Sequence, residues 1–565
     1  MPSRKRARLT GVCAALAFSA AFADQDDLTR MERSIELRVS NRQFMGAVLV
    51  ARDGQPLLSK GYGKANLDWG IPNSPTTKFR LGSVTKQFTA ASILLLEERG
   101  KLEVKNPIKQ YLPDAPAAWN QITIFNLLTH TSGIPDFTRF PDYEKTLATP
   151  TTADALVARF RDKPLDFPPG SKYSYSNSGY VLLGYLIEKV SGETYREFVQ
   201  DNIFVPLGMR DSGYDSNAAI IERRAVGYAP GPSGPVVADY LDSSILFSAG
   251  SLYSTTEDLL RWEQGLYGGK LLSAKSLEKM TTPFRNDYAF GLMVDSAPNG
   301  DKIIWHNGKI KGFNTEVVYV PAGKLAVIVL ANLNGSAAAD IAADLRKVAL
   351  HDAATLICDR VAVTVSADVL NRVAGLYELD DGEVITVSRN QDHLEALGVG
   401  PALELYPQSD AEFFSTAEDA QLAFESNRRG RILALVMNRR GPQLRAPRID
   451  EARAKRLADA RAEKISSQTA DPGSEAALRR SIEQIVAGKP DYERMGQALA
   501  YDIHRQLPQM QQTFEAWGPL QSLAFKGVGP RGGDIYDVTF ANRVVEFRIR
   551  LGPDNKIVGQ RFAEN

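Results

Sequence analysis

Residues 81–90 read LGSVTKQFTA, and the fold turns on how Ser83 and Lys86 are read. A serine before an apolar-periodic run is a favoured helix N-cap, and a lysine three positions on sits comfortably on a solvated helix face. The same spacing also puts a hydroxyl and an amine on one face, within reach of each other. Ser-x-x-Lys alone decides nothing, because Ser276 and Lys279 in SAKSLEKM repeat it. That second copy reads as ordinary helix surface.

The company of Ser83 is different. Downstream, KYSYSNSGY carries Tyr175-Ser176-Asn177, the only Tyr-x-Asn in the chain, on a loop just before a helical pattern. Further on, WHNGKIKGF carries His306-Asn307-Gly308 at the end of a strand pattern. Each has a structural reading: a satisfied core tyrosine, a turn asparagine, a strand-end histidine. Together they form a chemical plan. A serine hydroxyl is a weak nucleophile until a neighbour accepts its proton. Lys86 can reach Ser83, and Tyr175 and Asn177 on a facing loop would hydrogen-bond Lys86. An ammonium lowers the pKa of a nearby phenol, and a drying cleft lowers that of an amine, so either is expected to serve as general base. The strand after Gly308, at Lys309, would turn a backbone N–H toward a substrate carbonyl and complete an oxyanion hole with the N–H of Ser83.

Around this set the patterns alternate. MGAVLVARDGQPLLSKGYG reads as a hairpin turning at Asp-Gly. Helical periodicity marks KQFTAASILLLEERGK, SGYVLLGYLIEKVSG and TTEDLLRWEQGLYGGK, the last opening on Thr255 or Thr256. Three strands in meander order follow over 302–334, then a closing helix. Strands at both ends with helices between predict an α+β fold: an antiparallel sheet flanked by helices, plus an all-helical subdomain. We expect this domain over 24–360. Short alternating strands predict a small antiparallel β-barrel or sandwich over 361–450. Residues 451–472, charged, alanine-rich and then Ser/Pro/Gly-containing, read as a linker. Residues 473–565 read as an α+β module.

At 565 residues, with 44% hydrophobic and 24% charged residues, the chain has material for several cores. Its 67 basic and 67 acidic residues give no nucleic-acid footprint. Residues 1–23 combine a basic start (MPSRKRAR), a short apolar run and an Ala-x-Ala-like site, so a cleaved signal peptide and a periplasmic or secreted location are expected. No integral membrane segment is expected after cleavage. Only Cys358 survives it, which rules out an internal disulfide. The five histidines, at 130, 306, 351, 393 and 504, show no metal-ligand spacing, and no cofactor is expected.

The chain resembles the penicillin-recognising serine hydrolases, in their class C β-lactamase-like branch of D-Ala-D-Ala carboxypeptidases, D-aminopeptidases and β-lactamase-fold esterases. FRLGSVTKQFTA, LLTHTSGIPDF, YSYSNSGYVLLGYLIE, AGSLYSTTEDLLRW and HNGKIKGFNT carry the resemblance, in the family's order. It implies that Ser83 is acylated, that Lys86 and Tyr175 share the acid and base roles, and that Asn177 positions Lys86 and the substrate amide. It implies also that His306 and Gly308 line the cleft and that His130 of the HTSG turn supports the fold. The barrel resembles the lipocalin-like domains of D-aminopeptidase relatives, and the last module is similar to cone-shaped NTF2-like domains. Two departures stand out. His-Asn-Gly replaces Lys-Thr-Gly, exchanging a fixed cation for a group that is mostly neutral at pH 7. In addition, Phe137 falls near the place of a glutamine. Both point to an esterase or peptidase on small-molecule or short-peptide substrates. The alternatives are a weak β-lactamase or carboxypeptidase and, from another class, a non-catalytic binding or sensor protein.

Overall fold

Asp53 and Gly54 both adopt positive φ (47° and 75°), the turn geometry that Asp-Gly favours. They join strands β1 (Gly46–Arg52) and β2 (Gln55–Tyr62). The computed structural model describes residues 11–297, 299–398, 400, 402–439, 441–552 and 554–563. The leader expected at 1–23 therefore lies partly outside the described residues, and a helix α1 runs Gly11–Ser40. Among the described residues no helix is long and apolar enough to cross a membrane.

The chain divides into two compact units, Met1–Ala354 and Thr355–Asn565. In the first, the expected meander is β4 (Lys302–Ile310), β5 (Phe313–Val320) and β6 (Leu325–Ala331), preceded by β3 (Met293–Ser296). All pairs are antiparallel in the order β3-β4-β5-β6-β1-β2, so β6 joins β1 across nearly three hundred residues. Alternation gives the sheet two buried faces. Ala47, Leu49, Ala326, Ile328 and Leu330 share one core with Leu259, Trp262 and Leu266 of the helix Thr256–Tyr267. The intervening Val48, Val50, Val327 and Val329 are buried too. Helix α5 (Ala337–Ala349) packs on β5 and β6 and against α1, where Arg38 reaches Asp344 at 2.8 Å.

Between the sheet's two halves lie α2 (Thr85–Glu98), α3 (Asn177–Ser191) and α4 (Thr256–Tyr267). Twelve of the fourteen residues of α2 are buried, so it is the central helix of the core rather than an amphipathic surface one. Phe88 stacks on Trp262, with ring centroids 4.1 Å apart. Thr255 caps α4 by accepting from Asp258 N, and Gly192 ends α3 in the left-handed conformation.

The second unit holds a closed eight-stranded antiparallel barrel over Gly375–Ile449, closed by pairing of Leu376 with Ile449. Its inward positions, among them Tyr377, Ile385, Leu394, Leu405, Leu422 and Leu435, fill the interior. A four-stranded sheet over Leu520–Ala563 packs on helices α7 (Ser474–Val486) and α8 (Gln497–Trp517) around Phe514, Trp517 and Phe547. Residues 451–472 differ from the expected linker: Glu451–Ser467 is a helix, α6. Asp450 caps it, and it buries no residue. Charges stitch it down instead, through Arg453 to Glu378, Arg461 to Glu383 and Lys464 to Asp534. Without an apolar stripe the sequence pattern resembled a spacer.

Candidate active site

Ser83 is not the N-cap of α2. It lies in a 3-10 turn, Gly82–Val84, that feeds the helix, and no side chain caps Thr85–Glu98. The turn is pressed against the free end of β4. A Cβ on Gly308 would lie 1.9 Å from Leu81 O, and one on Gly82 would lie 3.1 Å from Lys309 N. Two glycines therefore let the backbone of 308–309 reach the serine turn. Thr315 Oγ1 donates to Leu81 O at 2.8 Å and locks that approach.

Lys86, one turn on, is fully buried. Its Nζ donates to Ser83 Oγ (3.0 Å), Asn177 Oδ1 (3.0 Å) and Ala249 O (2.9 Å). The rings of Tyr175 and Tyr180 lie 4.8 and 5.5 Å away. Burial lowers the amine's pKa to about 7, against a smaller opposing pull from Asp136. Tyr175 hydrogen-bonds Ser83, but burial raises its pKa far more than that bond lowers it. This reverses the expectation of a phenol acidified by the lysine: desolvation outweighs the neighbouring amine, itself only partly charged near pH 7. Of the two expected bases, Lys86 alone is tuned to neutral pH.

Asn177 is the first residue of α3, whose N-cap is Ser176. His130 sits behind this loop with φ +54°. Its Nδ1 accepts from Ser176 N at 3.1 Å, and its ring lies 4.2 Å from that of Tyr175. It shapes the loop and does not reach the cavity.

His306 corrects the sequence reading. It is on β4 but 3% exposed, with Nε2 3.1 Å from Tyr288 Oη and Nδ1 2.6 Å from Asn307 O. Burial and then Lys86 depress its pKa to about 3, so the ring is neutral, and it is not among the residues lining the cavity. Phe137, which falls near the place of a glutamine, is fully buried in the core. Lys309 does line the cavity, and so do Ser83, Tyr175 and Asn177.

The cavity holds about 490 Å³. Leu147, Leu241, Leu246 and Ile310 give it apolar walls, and Lys311 stands at its rim, 3.3 Å from Asp239. Tyr288, Asp136 and the Ala249 carbonyl went unnoticed as site groups. Asp136 and Ala249 both lie in stretches that carry the resemblance, GIPDF and AGSLYSTTEDLLRW. Tyr288 comes from a turn whose position depends on tertiary packing.

The family model described as Beta-lactamase matches residues 31–351. The protein PbpX of Bacillus subtilis (strain 168) is 36% identical over 295 residues, 52% of this chain and 72% of its own. A second protein of that strain, named as a penicillin-binding protein, is 29% identical over 435 residues, 71% of this chain and 94% of its own. Among solved structures, D-amino acid amidase from Ochrobactrum anthropi SV3, complexed with L-phenylalanine, is 25% identical with a TM-score of 0.50. That match covers 57% of this chain and 98% of the amidase.

Proposed function

The chain belongs to the β-lactamase family of serine hydrolases, and on that premise we propose that Ser83 forms an acyl-enzyme with ester or amide substrates, D-amino-acid peptides or amides among them. The observation that carries the reading is the Lys86 amine, buried, held to about pH 7 and 3.0 Å from the hydroxyl it would activate.

In the reaction, neutral Lys86 takes the Ser83 proton as Oγ bonds to the substrate carbonyl carbon. The oxygen that gains charge sits between the N–H groups of Ser83 and Lys309. The carbon–leaving-group bond breaks, and the proton passes from Lys86 to the departing nitrogen or oxygen, with the Tyr175 phenol as hydrogen-bonding relay. Water then attacks the acyl-enzyme, giving its proton to Lys86, and Ser83 recovers it. The apolar walls suit a hydrophobic acyl side chain. The neutral His306 offers no cation for a substrate carboxylate, which leaves that contact to Lys309 and Lys311 along the cavity, and neutral esters and amides are the substrates we favour. The basic, apolar leader supports a periplasmic or secreted location.

The test is intact-protein mass spectrometry after mixing with p-nitrophenyl butyrate or benzylpenicillin. A butyryl adduct on the peptide bearing Ser83, with slower or no penicilloyl adduct, is expected. Turnover of the ester with acylation elsewhere would overturn the assignment.

A further inference from the structure

Asp136 has no role in the reaction as written above, yet it organises the groups that do. It is 8% exposed and caps the 3-10 turn Phe137–Arg139, accepting from Thr138 N at 3.2 Å. The same carboxyl accepts from Asn177, at the backbone N (3.2 Å to Oδ1) and at the side-chain Nδ2 (3.2 Å to Oδ2, 3.4 Å to Oδ1). Thr138 Oγ1 is a further acceptor for Nδ2 at 3.3 Å. Acceptors thus surround one end of the Asn177 amide. Turned over, the amide would set its carbonyl oxygen against a carboxyl and its N–H groups against the Lys86 amine. One orientation survives, with Oδ1 toward Lys86 at 3.0 Å.

A neutral amine has two protons and one lone pair. Asn177 Oδ1 and Ala249 O are acceptors only, and each takes a proton. The third neighbour, the Ser83 hydroxyl, then faces the lone pair. We propose that Asp136 is a positioning residue: by fixing the Asn177 amide it aims the Lys86 lone pair at the Ser83 hydroxyl. The proposal rests on the reading of Ser83 as nucleophile. Asp136 also raises the proton affinity of Lys86, working against burial. The other titratable or charged groups facing this pair are Arg139, Tyr143, Asp166, Tyr175, Tyr180, His130 and His306.

The experiment is a double-mutant cycle in the full chain, with Asp136→Asn, Asn177→Asp and the two combined. It reads kcat/KM for p-nitrophenyl butyrate on the alkaline plateau and the position of the acid limb. Asp136→Asn meets the Asn177 Nδ2 with a competing donor and is expected to lose about tenfold to a hundredfold, with the acid limb moved to lower pH. In the double variant the amide introduced at position 136 donates to the carboxylate introduced at position 177, whose other oxygen holds Lys86. Its rate is expected to exceed the product of the single effects at least tenfold. A purely structural Asp136 would lower amplitude and Tm together and leave the limb in place. Additive effects, or parent-like rate and limb in Asp136→Asn, overturn the proposal. Should Asp136→Asn show no cooperative thermal transition, Asp136→Ser, which keeps a capping hydroxyl for Thr138 N, gives the same two readouts. Titration of Lys86 followed by NMR on 13Cε-lysine needs no turnover. If the parent fails to acylate, the nucleophile reading falls, and this titration still judges Asp136. If the parent acylates but Asp136→Asn titrates as the parent does, the Asp136 proposal falls alone.

Discussion

Lys279 is held by Glu97, with Nζ 2.7 Å from Oε2, while Ser276 donates its backbone N–H to Ser273 Oγ and accepts from the Ser273 hydroxyl. The second Ser-x-x-Lys is therefore two separate contacts, not an activated pair, and Ser276 is buried rather than on the helix surface as its pattern suggested. Ser83→Ala is expected to abolish hydrolysis of p-nitrophenyl butyrate, and Ser276→Ala to leave kcat/KM within about twofold. Equal losses would break the assignment.

With Lys86 proposed to act as the free amine, kcat/KM should rise with pH through about 7. His306 has already lost its proton there, with a pKa of about 3. The ratio of turnover for a carboxylate-bearing ester to that for its neutral analogue should therefore stay flat from pH 5 to 8. A ratio that climbs toward pH 5 would restore His306 as a substrate cation.

Lys86→Met should remove activity and change the pH dependence of stability. The native amine gives up its proton near pH 7, whereas the ordinary value is 10.5. The unfolded parent thus binds more protons between those values, and parent stability rises with pH across that window. The Tm of Lys86→Met relative to the parent should be highest below pH 7 and decline toward pH 10. A Tm difference, variant minus parent, that rises with pH would contradict a native amine that is neutral above about 7.

Glu263 on α4 is 3% exposed, and its Oε2 makes no hydrogen bond. Burial lifts its pKa from 4.5 to about 8. The native state holds this proton while the unfolded state has lost it, so the parent loses stability as pH rises from 4.5 through 8. Glu263→Gln should raise Tm clearly at pH 9 and hardly at pH 5. Parallel thermal curves at the two pH values would refute this.

Gly308→Ala should cost more than about a hundredfold in kcat/KM, since backbone atoms cannot yield to a Cβ 1.9 Å from Leu81 O and β4 must move off the serine turn. Near-parent activity would mean that the close approach is not needed.

The local parts of this design were legible in the chain. Ser83 and Lys86 are three residues apart at the start of one helical segment, Asp53-Gly54 dictates its own turn, and the barrel strands alternate visibly. What escaped was set by burial. Whether Tyr175 or Lys86 carries the lower pKa depends on how dry each is, and no spacing records that. His306 turns inward because Tyr288, eighteen residues earlier and on another segment, offers it a partner. Helix α6 was missed for the opposite reason, since it buries nothing and leaves no periodic stripe.

The closed barrel also has a consequence for misassembly. A sheet whose first and last strands pair has no unpaired edge, so it cannot template a neighbouring copy. Within the second unit that hazard falls to the open four-stranded sheet, one of whose outer strands, Leu520–Val528, is interrupted by two register shifts and carries Lys526. Kinks and a charge on a rim are what discourage intermolecular strand addition, so smoothing this one strand is the change that should turn the protein toward aggregation.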